Sequence, residues 1–286
     1  MLQKEHMGGL SNNKMKFKIP DNFMRKPIAG ARERVLAASK IGQEDRKDGE
    51  IGTYEIPESE QRNYIQVPQF GVAIAMRETY LGKDMYYTLD ALLSEKLKMP
   101  SQRQFMRHWF NVQESAEGKR RLVYADGSPV SDDVSKDLWG YMSSTDRTPW
   151  KGKICWTWLN SLFKEENGEW FVEEDLKVVL NAKKEKSLKG TPIRLDTCIM
   201  SDGYADLNFN SQSLPLTQSS VQEYEQGKNI YFWHPRNERV AGFCADSGRA
   251  LLYCSWVPAD FGSSLGVFAS APAGARSDAK NSGGIS

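Results

Sequence analysis

Four cysteines and three histidines are the side chains of this 286-residue chain best suited to nucleophilic or metal chemistry. Zinc needs Cys or His in threes and fours, commonly with two of them closely spaced. Cys155, Cys198, Cys244 and Cys254 form no Cys-x-x-Cys unit, and His6, His108 and His234 lie far apart. No metal site is expected, and the thiols read as buried or incidental. A Cys–His nucleophile would have to pair His234 with Cys244 or Cys254, but no third residue is marked out to orient the base. A buried His234 held by a backbone carbonyl is the expectation. Asp132 and Asp133 follow Ser131, and a helix start accounts for all three as cap and first-turn acids. The chain has no P-loop, Gly-x-Gly-x-x-Gly after a strand, His-Glu-x-x-His or Gly-x-Ser-x-Gly. No catalytic residue, metal or cofactor is expected.

Composition narrows the partners. The formal net charge is +1, with basic residues dispersed among acids, which excludes a strong field for nucleic acid. Eight Trp, 11 Tyr and 12 Phe sit in a chain of mean hydropathy −0.58, so the apolar content is bulky aromatics set among polar residues. That suits a domain with aromatic core or recognition positions. No apolar run approaches the ~20 residues that span a bilayer, so no membrane insertion is expected. The first twenty residues lack an apolar signal core. Synthesis in the cytoplasm is expected, with display on a virion or a cell left open.

The elements that would position these residues follow from periodicity. Residues 1–60 are polar and irregular, with a short helix expected over Pro27–Gly42. They read as an extended arm on a neighbour or on the main domain, or as a floppy leader. Strand-like runs begin at Tyr64. The stretch 86–100 reads as a helix with Leu89, Leu92, Leu93 and Leu97 on one face. A second helix starts at the Ser101 cap and runs to Gly118, with Phe105, Met106, Trp109 and Val112 as a core stripe. Asn167-Gly168 marks a hairpin in which Cys155, Thr157 and Leu159 alternate with Ile154, Trp156 and Trp158. The basic run 181–190 reads as a solvated loop, and the Ala/Gly/Ser-rich residues 271–286 as a disordered tail.

The stretch RVAGFCADSGRALLYCSWVPADFGSSLGVFAS, residues 239–270, carries the most information. Asp246-Ser247-Gly248 is a turn between two alternating runs. Ala241, Phe243, Ala245, Ala250, Leu252 and Cys254 form one set, and Gly242, Cys244, Leu251, Tyr253 and Ser255 form the other. Trp256, Val257, Asp260, Phe261 and Gly262 follow on a loop around Pro258. If the first set faces the core, the second faces outward with that loop. Periodicity leaves two readings open: an exposed aromatic patch of the kind that marks interaction surfaces, or a second core layer.

Val240, Ala241, Phe243, Ala245, Ser247, Ala250, Leu252, Cys254, Pro258, Leu265, Gly266 and Val267 reproduce a pattern. It reads Val-Ala-x-Phe-x-Ala-x-Ser, Ala-x-Leu-x-Cys, a Pro, then Leu-Gly-Val. This resembles the C-terminal variable region of proteins diversified by retroelements that miscopy template adenines. The upstream LNFNSQSLPLT (207–217) and WKGKICWTWLN (150–160) are similar to forms in phage and archaeal-virus members. The resemblance spans about the last half of the chain. It implies an α+β, C-type lectin-like fold with small twisted antiparallel sheets, two or more helices and extensive loops, over residues 61–270. It implies a variable region at about 237–268. The function it implies is non-catalytic binding of a protein or cell-surface ligand. The binding residues it implies are Asn237, Arg239, Gly242, Cys244, Leu251, Tyr253, Ser255, Trp256, Val257, Asp260, Phe261 and Gly262, with Tyr253, Trp256 and Phe261 as anchors. From Gly242 to Gly262, all of these except Trp256 are reachable from an Asn codon by changing adenines, and Trp256 from a Lys codon ending in G. Phe268 stands where many members carry Arg. No Glu-Pro-Asn or Trp-Asn-Asp calcium motif is present. Two other functions fit the same broad fold: a formylglycine-generating-type enzyme with a reactive Cys pair, and a virion protein using this face as a subunit interface.

Overall fold

A computed structural model describes residues 54–143, 154–246 and 248–273, all within a unit spanning 38–286. The first unit, 1–37, the Pro27–Gly42 helix expectation and residues 274–286 lie outside the described residues.

The chain is α+β. Strands β1 (Tyr64–Val67) and β2 (Val72–Ala75) pair antiparallel across a short 3-10 turn, Pro68–Phe70. Three helices follow: α1 (Met85–Ser94), α2 (Gln102–Ala116) and α3 (Asp132–Met142). Each has the cap its sequence offers. Asp84 accepts the Tyr87 N–H, Ser101 and Gln104 form a reciprocal capping box, and Ser131 accepts the Val134 N–H. The α2 stripe of Phe105, Met106, Trp109 and Val112 is fully buried. On α1 the buried stripe is Met85, Thr88, Leu89 and Leu92. Leu93 lies off its edge and is 72% exposed, and Leu97 falls beyond the helix end.

The remaining strands are β3 (Cys155–Glu166), β4 (Glu169–Leu180), β5 (Lys186–Arg194), β6 (Gly203–Asp206), β7 (Asn229–Trp233), β8 (Arg239–Ala245), β9 (Ala250–Trp256) and β10 (Ser270–Pro272). Seven of them form one sheet in the order β5-β4-β3-β8-β9-β7-β6. The β3–β4 turn has Asn167 and Gly168 both at positive φ, 53° and 81°, the tight-turn geometry that Asn-Gly favours. The sheet is not wholly antiparallel, because β7 runs parallel to β9. The second half of the basic run, expected as loop, is the start of edge strand β5, where Lys186, Lys189 and Pro192 discourage further pairing.

The main core lies between α2, α3 and one face of this sheet. It takes Phe243, Ala241, Ala245, Ala250, Leu252 and Cys254 from β8 and β9, all at or below 1% exposed. A second core, beneath α1, takes Trp158, Val240, Leu265 and Val267. A third joins Tyr54 and Ile56 to Ala73, Ala125 and Ala271.

Two boundaries move as a result. The last part of the expected arm packs on the main domain, one of the two placements expected for it, because Tyr54 and Ile56 are buried against Ala73, Ala125 and Ala271. Residues 270–272 form β10, which completes the β1-β2-β10 sheet, so the segment from 271 is not all tail. Its Ala and Ser composition conceals a strand because β10 is held by pairing with β2, with small side chains that fit a crowded site. Ala271 is fully buried. Phe268 is fully buried with its ring 5.5 Å from Phe105, and its N–H donates to Thr157 Oγ1.

Candidate binding surface

Strands β6, β7, β9, β8 and β3 present their outer face in two transverse rows. Directly opposed residues share a face of a pleated sheet. One row runs Tyr204, Tyr231, Leu251, Cys244, Trp156. The next runs Trp233, Tyr253, Gly242, Trp158. The sequence-derived outward set of Gly242, Cys244, Leu251 and Tyr253 therefore does share one face.

Exposure is another matter. Gly242, Cys244 and Leu251 were expected at the surface, but Cys244 and Leu251 are 7% and 2% exposed and Gly242 is buried. One cause is a second core layer, since Trp158 and Val240 at one end of this face are buried beneath α1 with Trp156 and Trp256 packed against them; the other is relief. Small residues alternate with tall rings from β3, β7 and β9, and the rings close over them. Trp233 and Tyr253 are stacked at 6.0 Å, and Tyr253 and Trp256 at 4.5 Å. Trp256 continues to Trp156 and Trp158 at 5.6 and 5.4 Å. Arg249 closes the other end, its guanidinium 4.9 Å over Tyr231. Rings that stack on one another turn their edges, not their faces, outward. Two of these pairs are stacked and the contacts of Trp256 with Trp156 and Trp158 are tilted and edge-to-face, so the rings brace one another across the face.

Trp256 joins this row through a β-bulge. Val240 opposes Trp256 while Gly242 opposes Tyr253, so β9 has one residue more than β8 in that interval. The extra residue shifts the alternation, and Trp256 comes onto the Tyr253 face as the last residue of β9, not on the loop.

The loop beyond is the most exposed part of the expected site. Phe261 is 78% exposed and Val257 38%. Asp260 accepts the Val257 N–H and donates its own N–H to the Val257 carbonyl, closing a compact turn. Pro258 is buried, and its carbonyl accepts the Met85 N–H at the start of α1. Gly262 lies half-buried against Trp156. Ser255, Tyr253 and Trp256 are half-buried. Arg239 and Asn237 lie at the same end of the β8–β9 hairpin. Asn237 is exposed, but its amide oxygen accepts the Glu165 N–H, so this side chain also fastens the end of β3.

The groups considered for nucleophilic chemistry are arranged otherwise. His234 is half-buried, and its Nδ1 meets Asp202 at 2.5 Å, not a backbone carbonyl. Asp202 also accepts from Arg236 at 3.0 Å and from the His234 N–H. Burial alone would raise the Asp202 carboxyl, but the His234 hydrogen bonds and the Arg236 charge outweigh it and hold the carboxyl low. Burial pushes every thiol up: Cys198 to about 11, Cys244 to about 12, and Cys155 and Cys254 well above the usual value. Such groups are thiols at neutral pH, and the thiolate is the nucleophile. Among the described residues no group of three His, Cys, Asp or Glu is placed to hold a metal. No helix there is long and apolar enough to cross a membrane.

Sequence reasoning missed Glu78, which lies beside Cys155 and Cys244. Its carboxylate accepts from Tyr141 Oη at 2.6 and 2.8 Å and from the Trp156 N–H at 3.0 Å, joining α3 to the start of β3. Burial raises its pKa, against the hydrogen bonds from Tyr141, Trp156 and Cys155. A raised carboxyl binds its proton more tightly folded than unfolded, so stability falls as pH rises above the ordinary glutamate value. Urea denaturation between pH 4 and 8 is expected to show Glu78→Gln gaining stability relative to the natural chain as pH rises; a difference that does not change with pH would refute it.

Comparison of the chain with family models, with curated proteins and with solved structures finds no match.

Proposed function

We propose that this chain is a non-catalytic binding protein of C-type lectin-like fold. Its C-terminal surface is diversified by adenine-directed retroelement copying, and its partner is a protein or cell-surface ligand. The observation that carries the reading is the division within one hairpin. Ala241, Phe243, Ala250, Leu252 and Cys254 are closed into the core, while the adjoining segment ends in Val257 and Phe261, exposed on a turn fixed by backbone contacts. A scaffold set apart from its contact residues is what repeated replacement requires. The protonated state of all four thiols supports binding over a formylglycine-generating chemistry.

The contact residues best placed for exchange are Tyr253, Ser255, Trp256, Val257, Asp260 and Phe261, with Arg239 nearby. Binding energy would concentrate in the aromatic anchors. A library randomised at Ser255, Val257 and Phe261 is expected to keep most members folded, as judged by protease resistance. Phe261→Ala alone is expected to change stability by no more than about 0.5 kcal/mol. A library that folds no more often than one randomised at Ala241, Phe243, Ala250 and Leu252 would remove the reading. Loss of an oligomer in the Tyr253/Trp256/Phe261 triple Ala variant would favour a subunit interface instead.

A further inference from the structure

We propose that Gly242 is the seat of Trp256, so that positions 242 and 256 act as one coupled determinant of the shape of the binding face. The proposal rests on the reading of that face as replaceable. A Cβ built on Gly242 would lie 1.8, 2.1 and 2.8 Å from Cζ3, Cε3 and Cη2 of Trp256. The six-membered ring therefore lies directly on the glycine backbone, an aromatic covering a strand glycine. The glycine is needed for space and not for conformation, because Gly242 is not among the residues of positive φ.

The ring has little freedom to yield. Tyr253 stacks on one side at 4.5 Å, and Trp156 and Trp158 stand at 5.6 and 5.4 Å. Trp158 is fully buried and its Nε1 donates to the Lys83 carbonyl, so it is fixed in turn. A methyl at 242 must lift Trp256 outward. That movement opens the Tyr253–Trp256 stack, and Tyr253 is also stacked on Trp233 with its ring plane 6° away. One atom added at a buried position thus re-aims ring edges that a partner would touch. Position 242 shapes the ligand contact without touching the ligand. A large aromatic at 256 goes with Gly at 242, and a side chain at 242 goes with a small residue at 256.

The test is a double-mutant cycle on the full chain: Gly242→Ala, Trp256→Ala and the pair, each measured by thermal unfolding and by hydroxyl-radical oxidation of Trp256 where it remains. Gly242→Ala alone is expected to lower the unfolding midpoint by about 5 °C and to raise oxidation of Trp256 several-fold. In the Trp256→Ala background the same change is expected to move the midpoint by less than about 1 °C. Equal losses in both backgrounds, or no change in either readout, would overturn the proposal. If Gly242→Ala alone does not fold, the pair decides: a folded double variant supports the seat, and an unfolded one overturns it. The cycle reads coupling whether or not the face varies in nature. Natural variants that never differ at 242 or 256 would detach the coupling from diversification without abolishing it.

Discussion

Phe243→Ala is expected to destabilise the protein by about 3–5 kcal/mol, a large fraction of the ordinary stability of a domain. Phe243 is fully buried at the middle of β8, with its ring 5.1 Å from Phe105 and 6.2 Å from Trp109. Those two partners come from α2 and are themselves fully buried, and Trp109 is fixed by its Nε1 donating to the Met142 carbonyl. The surroundings cannot collapse onto the space, so the loss includes a cavity as well as the transfer term. Phe243 and Phe261 are the same residue type eighteen positions apart, yet the second is 78% exposed. Chemical denaturation of the two Ala variants side by side measures the contrast. A cost for Phe243→Ala near that of Phe261→Ala would show that β8 is not the scaffold described above.

Acid should weaken the fold through His108. This residue is fully buried on α2, and neither ring nitrogen has a hydrogen-bond partner among the described residues. Burial lowers its pKa from 6.5 to about 3. The unfolded chain then takes up a proton that the folded chain refuses. Stability is complete above about pH 6.5 and falls by about 1.4 kcal/mol per pH unit down to about pH 3. His108→Leu removes both the proton uptake and two unsatisfied buried nitrogens, each costing about 1–3 kcal/mol. The variant is expected to be at least as stable at pH 7 and about 3 kcal/mol more stable at pH 4. Glu78 titrates in part of the same range with the opposite sign, so each slope is read from its own variant. An unchanged acid slope in His108→Leu would contradict the assignment.

The inward half of the β8–β9 hairpin was legible because two simple signals agree. Period-two alternation named Ala241, Phe243, Ala250, Leu252 and Cys254, and Asp246 and Gly248 marked the turn; in the structure Asp246 Oδ1 accepts both the Gly248 and the Arg249 N–H. Helix α2 was legible from its Ser101 cap and apolar stripe and α3 from its Ser131 cap, whereas the leucines that marked α1 include Leu93, which is exposed, and Leu97, which lies beyond the helix end. Burial of the outward half was not. It depends on how tall the neighbours are on β7 and β3, and those strands come from segments distant in sequence. The parallel β7–β9 pairing that brings Trp233 beside Tyr253 leaves no local mark. The bulge that carries Trp256 onto that face breaks the periodicity on which the reading depended. Glu78 was invisible because one Glu in a polar stretch looks solvated until α3 and β3 close over it.

The retroelement reading is tested most directly by sequencing the DNA beside the gene. The expected result is a reverse-transcriptase gene and a near-copy of the codons from Asn237 to Phe268. The near-copy should differ from them only at adenines, at positions such as Tyr253, Ser255, Trp256, Val257 and Phe261, and should match them at Ala241, Phe243, Ala250, Leu252 and Cys254. A neighbourhood with neither gene nor near-copy, or a near-copy whose differences fall on the inward residues, would contradict it.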